Sequence, residues 1–337
     1  MNLTQRISAF TELGNQINRL NEDEKATLAD QAAQHNPWFT FEYVTLALAG
    51  VSQFLSKGTL NKWTASYSLD TSTPKTIGVA MAGNIPMVGF HDFLCVLISG
   101  NKLKAKLSSQ DEVLLKALTQ RLIQIEPRFE SLIYFEERLN NVDAVIATGS
   151  DNTSRYFEYY FRNIPNIIRK NRSSCGVIRG DETTQQLTEL GKDVFSYFGL
   201  GCRNVSKVFV PEGYSFIPLL DSWPTYSNIA NHHKYANNYD YQKSILLVNG
   251  VTFLDNGFVL VTENSALVSP ISVLFFETYK DQNDLNEKIS LQKEKIQCIV
   301  SANGWYSESL PFGKAQYPEV WDYADNADTL KFLSGLN

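Results

Sequence analysis

The stretch TIGVAMAGNIPMVGFHDFLCVLISGNKLKAKL, residues 76–107, decides the fold class. The apolar run 76–82 predicts a buried strand, 86–100 predicts a helix, and the alternating run 102–107 predicts a second strand. Parallel strands need a long crossover of this kind, because a tight turn joins only antiparallel neighbours. The stretch therefore predicts a strand, helix and strand of one parallel sheet.

The same alternation continues toward the C-terminus. A first series is predicted to comprise helix 111–125, strand 131–135, strand 143–147 and helix 154–164. A second series is predicted to comprise strand 175–178, helix 181–199 and strands 206–211, 244–248, 258–261 and 271–276. This rhythm predicts parallel sheets covered by helices on both faces, the nucleotide-binding class of fold. The two series indicate two α/β domains with a boundary near residues 172–180.

Two helices are predicted ahead of the first strand. Apolar residues recur at three- and four-residue steps from Leu3 to Leu20, which describes one face of a helix. A second helix is predicted to begin at Asn21, because Glu24 completes a capping-box pattern.

Composition argues against several classes of function. The net charge is -6 and the 30 Lys and Arg residues are scattered, so we expect no nucleic-acid partner. The N-terminus lacks the basic start and continuous apolar centre of a signal peptide, and no run approaches the roughly 18 apolar residues of a membrane span. We therefore expect a cytoplasmic protein.

The cysteines and histidines indicate no metal site. The four cysteines lie far apart without CxxC spacing, which argues against a disulfide framework and a thiolate zinc site. Cys175 and Cys298 lie in apolar strands, where packing is the expected role. His232 and His233 are adjacent, so their side chains point apart, and no third histidine has ligand spacing.

Cys202 follows a Gly-Leu-Gly turn in YFGLGCRNVSKVFV, residues 197–210. A thiol attacks as the thiolate, which backbone N–H groups at a turn stabilise. Gly199 and Gly201 would let the backbone approach a substrate closely. The alternative is a small buried apolar residue, which is the commoner role of cysteine in an α/β protein.

Asn84 lies in the loop between the strand and the helix of the opening stretch. Its amide N–H₂ is suited to donate to a developing negative oxygen. The alternative is a turn asparagine that bonds its own backbone.

Two further segments follow predicted strands. Lys106 ends strand 102–107, at the edge where nucleotides bind in open α/β sheets, although a solvated lysine is the alternative. Gly149 and Ser150 form a turn between a strand and a helix, and a helix N-terminus behind such a turn binds anions such as a pyrophosphate. The aromatic residues of 156–161 are dense enough to line an acyl tunnel, with core packing as the default.

Taken in order, these segments resemble the aldehyde dehydrogenase superfamily, and most closely its acyl-CoA reductase branch, the relatives of the fatty-acid reductase of bacterial bioluminescence. The segments that carry the resemblance are GNIP (83–86), GNKLKAKLSS (100–109), ATGS (147–150), GLGC (199–202), LVSPISVLFF (267–276) and LPFGKAQYPEVWDYADNADTLKFL (310–333). The resemblance implies a Rossmann-like cofactor domain and a catalytic α/β domain.

The resemblance implies roles for individual residues. Cys202 would be the nucleophile and Asn84 the donor to the oxyanion. In the cofactor domain, Lys106 and Ser108 would contact the adenosine side of the nucleotide, and Gly149 with Ser150 would cap its pyrophosphate.

Two departures from the family pattern indicate the reaction and the cofactor. Arg169 stands where oxidising members carry a water-activating glutamate, so hydride rather than water is expected to resolve the thioester. Leu107 and Ser109 replace the family's proline and glutamate after Lys106, which removes a carboxylate that repels a 2′-phosphate. With Lys104 nearby, NADPH is favoured over NADH.

The expected reaction is the reduction of an acyl-CoA, or acyl thioester, to an aldehyde through an acyl-Cys202 intermediate with NADPH. The alternatives are an NAD(P)-dependent aldehyde oxidiser and a catalytically silent relative that binds nucleotide. The resemblance also implies a homodimer or higher homo-oligomer, for which 62–79 offers a hairpin-like stretch. The expected domains are 1–174 with the cofactor site, 175–305 with the cysteine, and a returning segment 306–337.

Overall fold

The computed structural model describes residues 1–69 and 73–336 and divides the chain into two units. The first unit is Met1–Asn171 together with Glu319–Asn337, and the second is Arg172–Pro318. The first boundary therefore falls after Asn171, where we expected it after residue 174. Residues 306–318 stay with the second unit, because strand Leu310–Pro311 pairs with strand Ile296–Ser301. The segment that returns to the first unit begins at Glu319 rather than at residue 306.

The first unit opens with four helices, α1 (Leu3–Asn18), α2 (Glu22–His35), α3 (Phe41–Phe54) and α4 (Lys57–Thr64). The two N-terminal helices match the predicted ones. The Asn21 side chain accepts from the Glu24 backbone N–H, and the Glu24 side chain accepts from the Asn21 N–H, which confirms the predicted capping box. Helix α1 buries the predicted apolar face, including Phe10 and Leu13.

The stretch 62–79 does not form the expected hairpin among the described residues. Lys62–Thr64 ends α4, and Thr76–Ala80 is a strand that pairs in parallel with two neighbours. Residues 70–72 of this stretch lie outside the described residues.

A five-stranded parallel sheet forms the core of the first unit. Its strands are β1 (Thr76–Ala80), β2 (Lys102–Lys106), β3 (Ile133–Phe135), β4 (Ala144–Thr148) and β5 (Asn166–Arg169). The sheet order is β3-β2-β1-β4-β5, with every described pair parallel. This is the dinucleotide-binding order, in which the chain direction across the sheet reverses at β1. Ligands of such folds bind outside the carboxyl ends of the strands at that reversal.

Three helices connect these strands: α5 (Phe90–Ile98), α6 (Val113–Ile125) and α7 (Asp151–Phe161). Helix α5 begins at Phe90, later than the predicted start at residue 86, because Met87 takes a left-handed conformation with φ of 57°. Residues 84–89 therefore form turns rather than the first turn of a helix. This adds length to the loop that carries Asn84.

The second unit is built on a seven-stranded sheet in the order β12-β11-β6-β7-β10-β9-β8. The strands are β6 (Ser173–Val177), β7 (Val205–Pro211), β8 (Leu254–Asp255), β9 (Leu260–Glu263), β10 (Val273–Tyr279), β11 (Ile296–Ser301) and β12 (Leu310–Pro311). The helices are α8 (Thr184–Phe195), α9 (Ile217–Asp221), α10 (His233–Val248) and α11 (Gln282–Gln292). All described pairs are parallel except β8 with β9, so the predicted second α/β domain is confirmed.

The strand predicted over 244–248 is wrong, because these residues form the last turns of helix α10. Leu247 is 62% exposed and Val248 is 86% exposed, so this apolar run is not buried in a sheet. A short apolar run has no periodicity of its own that separates a strand from a helix. Here the helix starts at His233 and continues without a glycine or proline until Gly250.

The returning segment packs on the first unit and ends in α12 (Thr329–Ser334). His91 Nε2 lies 2.7 Å from the Val320 carbonyl oxygen, and Trp63 Nε1 donates to the Tyr323 hydroxyl at 2.8 Å. No helix within residues 1–69 and 73–336 combines the length and the apolar character that crossing a membrane requires.

Candidate active site

Three of the predicted segments meet at the carboxyl edge of the first unit's sheet. Strand β1 lies between β2 and β4, with Ala80 in register with both Lys106 and Ala147. The Met81 N–H donates to the Lys106 carbonyl at 3.0 Å, which extends the pairing past the end of β1. The loop with Asn84, the end of β2 and the Gly149–Ser150 turn therefore emerge from three adjacent strands.

The loop that carries Asn84 rests directly on Ser108. A Cβ atom at Gly83 would lie 2.5 Å from the Ser108 Oγ, so only glycine fits there. The Gly83 carbonyl accepts from the Asn36 side chain at 3.2 Å, which fixes the other side of the loop. Asn84 itself is exposed at the edge. Ser108, expected to contact nucleotide, packs against the backbone of this loop.

Sequence reasoning missed Asp111, a buried carboxylate behind the same loop. Its Oδ2 accepts from the Met87 N–H at 2.7 Å and so holds the left-handed residue of the loop. Burial raises the pKa of Asp111 to about 7, while backbone N–H groups of Met87 and Val88 oppose the rise. In the sequence, Asp111 looks like an ordinary acidic residue at the start of a helix, so no local signal distinguishes it.

The Gly149–Ser150 turn opens helix α7 at the reversal between β1 and β4. Ser150 is the N-cap, and its hydroxyl accepts from the Thr153 N–H at 3.3 Å. A Cβ atom at Gly149 would lie 2.9 Å from Thr153 side-chain atoms, so glycine lets the chain turn tightly into the helix. A helix N-terminus at this point of a doubly wound sheet fits a nucleotide phosphate.

The two lysines of the cofactor strand have different surroundings. Lys106 is exposed at the end of β2. Lys104 donates through Nζ to the Asn140 carbonyl at 2.9 Å, so its ammonium group is engaged by the neighbouring loop. Of these two, Lys106 is the one whose position suits contact with a ligand.

The aromatic residues of α7 divide between the core and the surface. Phe157 and Phe161 pack against the buried face of β4. Tyr156, Tyr159 and Tyr160 are exposed. The expected default of core packing therefore describes the two phenylalanines only.

Two of the four cysteines are fully buried and two are partly exposed. Cys95 and Cys175 are each 0% exposed, and burial raises the pKa of both thiols, which disfavours the nucleophilic thiolate. Cys202 and Cys298 are partly exposed. Cys175 is thus a packing residue as expected, whereas Cys298, expected to be one too, keeps part of its surface accessible.

The turn that presents Cys202 begins with three successive left-handed residues. Tyr197, Phe198 and Gly199 have φ values of 52°, 56° and 77°, and the two aromatic residues are buried. Glycine adopts this conformation readily, whereas bulky residues hold it only when the surrounding structure imposes it. The chain therefore leaves α8 sharply and places Cys202 just ahead of β7.

Asn204, which is 1% exposed, holds this turn together. Its Oδ1 accepts from the Gly201 N–H at 2.8 Å. Its Nδ2 lies 2.8 Å from the Ser196 carbonyl and 3.0 Å from the Asp193 carbonyl, which satisfies backbone groups at the end of α8. One buried amide thus links the residue before Cys202 to the preceding helix.

Ser174 connects Cys202 to Cys298. Its hydroxyl lies 3.0 Å from the Cys202 carbonyl oxygen and 3.1 Å from the Cys298 Sγ, and it accepts from the Cys298 N–H at 3.2 Å. A hydroxyl has one proton to donate. When Ser174 donates it to the Cys202 carbonyl, the Ser174 oxygen is left to accept from the Cys298 side.

Arg169 lies inside the first unit as half of a buried ion pair. Its Nη1 lies 2.5 Å from the Asp92 Oδ2, and its Nη2 donates to the Thr329 hydroxyl at 2.9 Å. The guanidinium stays protonated and joins β5, α5 and α12. It offers no base for the activation of water.

The expectation that the side chains of His232 and His233 point apart is wrong. They lie at the start of α10 with stacked rings whose centroids are 5.2 Å apart. The part of the chain that the structure describes contains no cluster of three or more His, Cys, Asp or Glu side chains able to hold a metal ion.

The chain is similar to several solved structures of aldehyde dehydrogenases. The chain is similar to an aldehyde dehydrogenase of Mycobacterium tuberculosis, with 13% identity, a TM-score of 0.64, and coverage of 94% of this chain and 84% of that one. It is similar to an indole-3-acetaldehyde dehydrogenase of P. syringae, with 12% identity, a TM-score of 0.67, and coverage of 94% and 75%. An aldehyde dehydrogenase of Bacillus cereus matches with 13% identity, a TM-score of 0.63, and coverage of 89% and 72%.

These likenesses confirm the aldehyde dehydrogenase-like fold, with a Rossmann-like cofactor domain and a catalytic α/β domain. No curated protein matches the chain. The sequence profile of the family described as "Acyl-CoA reductase (LuxC)" matches residues 47–215, half of the chain. That span contains Asn84, Lys106 and Cys202. The chain therefore belongs to the LuxC acyl-CoA reductase family of the aldehyde dehydrogenase superfamily, a family of oxidoreductases with aldehyde-related activity.

Proposed function

We propose that the protein reduces an acyl-CoA to the aldehyde through a thioester on Cys202, with NADPH as the reductant. The observation that carries the proposal is the Cys202 turn in a chain of this family. The turn begins with left-handed residues, is held by the Asn204 side chain through the Gly201 N–H, and presents a partly exposed thiol.

The Cys202 thiolate would attack the acyl carbonyl carbon, forming a C–S bond while the C–O double bond becomes a single bond to an oxyanion. Asn84 and the Cys202 N–H are the proposed donors to that oxygen. When the carbonyl re-forms, the bond to the CoA sulfur breaks, and the acyl group remains on Cys202 as a thioester.

A nicotinamide nucleotide, when bound, would supply a hydride to the thioester carbonyl. The residues of the first unit fit such a ligand, because the α7 N-terminus and exposed Lys106 lie at the carboxyl edge beside the strand reversal. The Cys202 sulfur then leaves as the carbonyl re-forms, which releases aldehyde and restores the thiolate.

Reduction is favoured over hydrolysis because the stretch 166–178 offers no carboxylate to activate water. Arg169 occupies the position where the resemblance expects one, and its guanidinium is already paired with Asp92. A water molecule near the thioester would then react without general-base assistance, which contributes typically 10²–10⁴-fold.

The choice of NADPH rests on the charges after β2. Residues 106–110 carry a lysine and no carboxylate, and the following acid, Asp111, bonds the Met87 backbone N–H with its buried side chain. A 2′-phosphate therefore meets a cation without a repelling partner in this segment. The structural neighbours from M. tuberculosis and B. cereus are complexes with NAD+, so both cofactors belong in the assay.

The test is to incubate the purified protein with a series of acyl-CoAs and either NADPH or NADH, and to follow the nicotinamide absorbance. We expect acyl-CoA-dependent oxidation of NADPH with the aldehyde as product. Oxidation of aldehyde with no reduction of any acyl-CoA would contradict the proposal in favour of an aldehyde oxidiser.

Cys202→Ala is expected to abolish turnover, since no second thiol in the described residues shares its turn. Incubation with acyl-CoA alone should leave an acyl adduct on Cys202, detected by peptide mass spectrometry, that persists in Cys298→Ala and disappears in Cys202→Ala. Asn84→Ala should lower turnover about 10²–10³-fold, the usual cost of one oxyanion donor. An adduct on Cys298 instead would assign the nucleophile to the other accessible cysteine.

A further inference from the structure

Asp193 is a buried carboxylate on α8 that the proposed chemistry does not use. Its side chain is 0% exposed and reaches a loop 120 residues further along the chain. Its Oδ2 accepts from the Gly313 N–H at 2.6 Å, and its Oδ1 accepts from the Ala315 N–H at 2.9 Å. Both oxygens thus bond the backbone of one loop, residues 312–315, which follows β12.

The same loop is bound from the other side by the residue that follows Cys202. Arg203 donates through Nε to the Ala315 carbonyl at 2.5 Å. Ala315 is buried. Its carbonyl accepts from Arg203, and its N–H donates to Asp193. The loop forms a bridge from α8 to the Cys202 turn.

A second connection runs through Asn204. Its side-chain amide donates to the Asp193 carbonyl at 3.0 Å and its oxygen accepts from the Gly201 N–H. The backbone carbonyl of Asp193 is thus linked to Gly201, on one flank of Cys202, through the Asn204 side chain. Its carboxylate is linked to Arg203, on the other flank, through the loop. Buried bonds on both flanks limit the movement of the thiol between them.

We propose that Asp193 is a positioning residue for Cys202. Asp193 holds the nucleophilic turn through loop 312–315 and Arg203. This role rests on the proposed function of Cys202 as the nucleophile, while its geometry is independent of the substrate. A nucleophile displaced by about 1 Å can lose on the order of 10²-fold in rate, so a contact of this kind has a measurable kinetic effect.

The charged neighbours of Asp193 make the contact sensitive to pH. Burial raises the pKa of its carboxyl to about 7, the N–H groups of Gly313 and Ala315 lower it, Glu189 on the same helix raises it, and Arg203 lowers it. Tyr226, from the turn that packs against α8, also interacts with this carboxylate. Protonation weakens the two bonds to the loop, because the ionised carboxylate is the stronger acceptor.

The experiment compares Asp193→Asn, Arg203→Gln and the double variant in the full-length protein. The readouts are the rate of iodoacetamide alkylation of Cys202, followed by peptide mass spectrometry from pH 6 to 9, and kcat with KM for acyl-CoA. We expect about 10-fold slower alkylation in each single variant and kcat about 10²-fold lower with KM little changed. The double variant should be no slower than the slower single variant, because both cut one chain of contacts.

Thr262→Val is the matched control. It removes a buried hydroxyl of the same unit that donates to the Thr252 carbonyl at 2.9 Å, so it should lower the melting temperature and leave the alkylation profile unchanged. If Asp193→Asn does not fold, the half-exposed Arg203 still tests the bridge.

Three results would overturn the proposal: an alkylation profile in Asp193→Asn equal to that of the wild type, no effect of Arg203→Gln, or effects of the two changes that multiply. If Cys202→Ala retained turnover, the proposed function would fail on its own, and the alkylation rates would still decide whether Asp193 positions the turn.

Discussion

At the scale of single residues, buried polar side chains that bond the backbone hold the site. Asn204 and Ser174 fix the Cys202 turn, and Asp111 fixes the loop of Asn84. Buried backbone groups lose their hydrogen bonds to water, and each of these side chains supplies a hydrogen bond in their place. The reactive groups are therefore placed by residues that do not themselves react.

The ion pair between Arg169 and Asp92 gives a prediction at this scale. Arg169→Met leaves the Asp92 carboxylate buried without its partner, and we expect a loss of about 3–5 kcal/mol in the free energy of unfolding. Adding Asp92→Leu should recover most of the loss, because the pair is then replaced by apolar groups. Urea unfolding of both variants checks this, and a loss below 1 kcal/mol in the single variant would contradict it.

At the scale of elements, the same local pattern gave correct and incorrect predictions. Strand 206–211 and helix 111–125 match β7 and α6 closely, because each has a clear period and distinct ends. The run 244–248 is apolar without either property. It became the end of α10, with the side chains of Leu247 and Val248 largely in solvent.

Leu247→Lys tests the position of this run. On the exposed face of a helix the change should alter the free energy of unfolding by no more than about 0.5 kcal/mol, whereas in a buried strand it would be severe. Leu246→Lys is the matched comparison, since Leu246 packs against the cluster of Leu260 and Val273. Equal losses in thermal or urea unfolding for the two variants would be inconsistent with the helix.

At the scale of the whole molecule, each unit contains a buried carboxyl group with a raised pKa. Burial raises the pKa of Asp111 in the first unit and of Asp193 in the second to about 7, from 3.8. His91, buried in the first unit, has its pKa lowered by burial from 6.5. These groups link the stability of both units to pH near neutrality.

The signs of these shifts predict lower stability as pH rises from 6 to 8. The folded state holds the two carboxyl protons up to about pH 7, whereas the unfolded chain loses them near 3.8, so their contribution is lost as pH rises through 7. Each carboxyl changes the free energy of unfolding by at most about 1.4 kcal/mol per pH unit. His91 acts in the opposite direction below pH 6.5.

Urea unfolding at pH 6, 7 and 8 measures this slope. Asp111→Asn should reduce it, since the amide keeps an acceptor for the Met87 N–H and does not titrate. A slope in Asp111→Asn equal to that of the wild type would show that Asp111 does not titrate in this range.

The sequence by itself determined the alternation of strands and helices, the capping box of α2, and the places where Asn84, Lys106, Gly149 and Cys202 follow strands or turns. These features depend on residues close together in the chain, whose periodicity and turn chemistry act locally. The α/β fold class follows from them, whereas the LuxC family follows from the match of residues 47–215 to that family.

Only the tertiary structure decided which cysteines keep an accessible thiol, that Arg169 is paired inside the first unit, and that Asp193 reaches Ala315. Burial and hydrogen bonds between distant segments create these properties. A pattern of neighbouring residues cannot encode them, because the free energy of a buried charge depends on which groups the whole fold places around it.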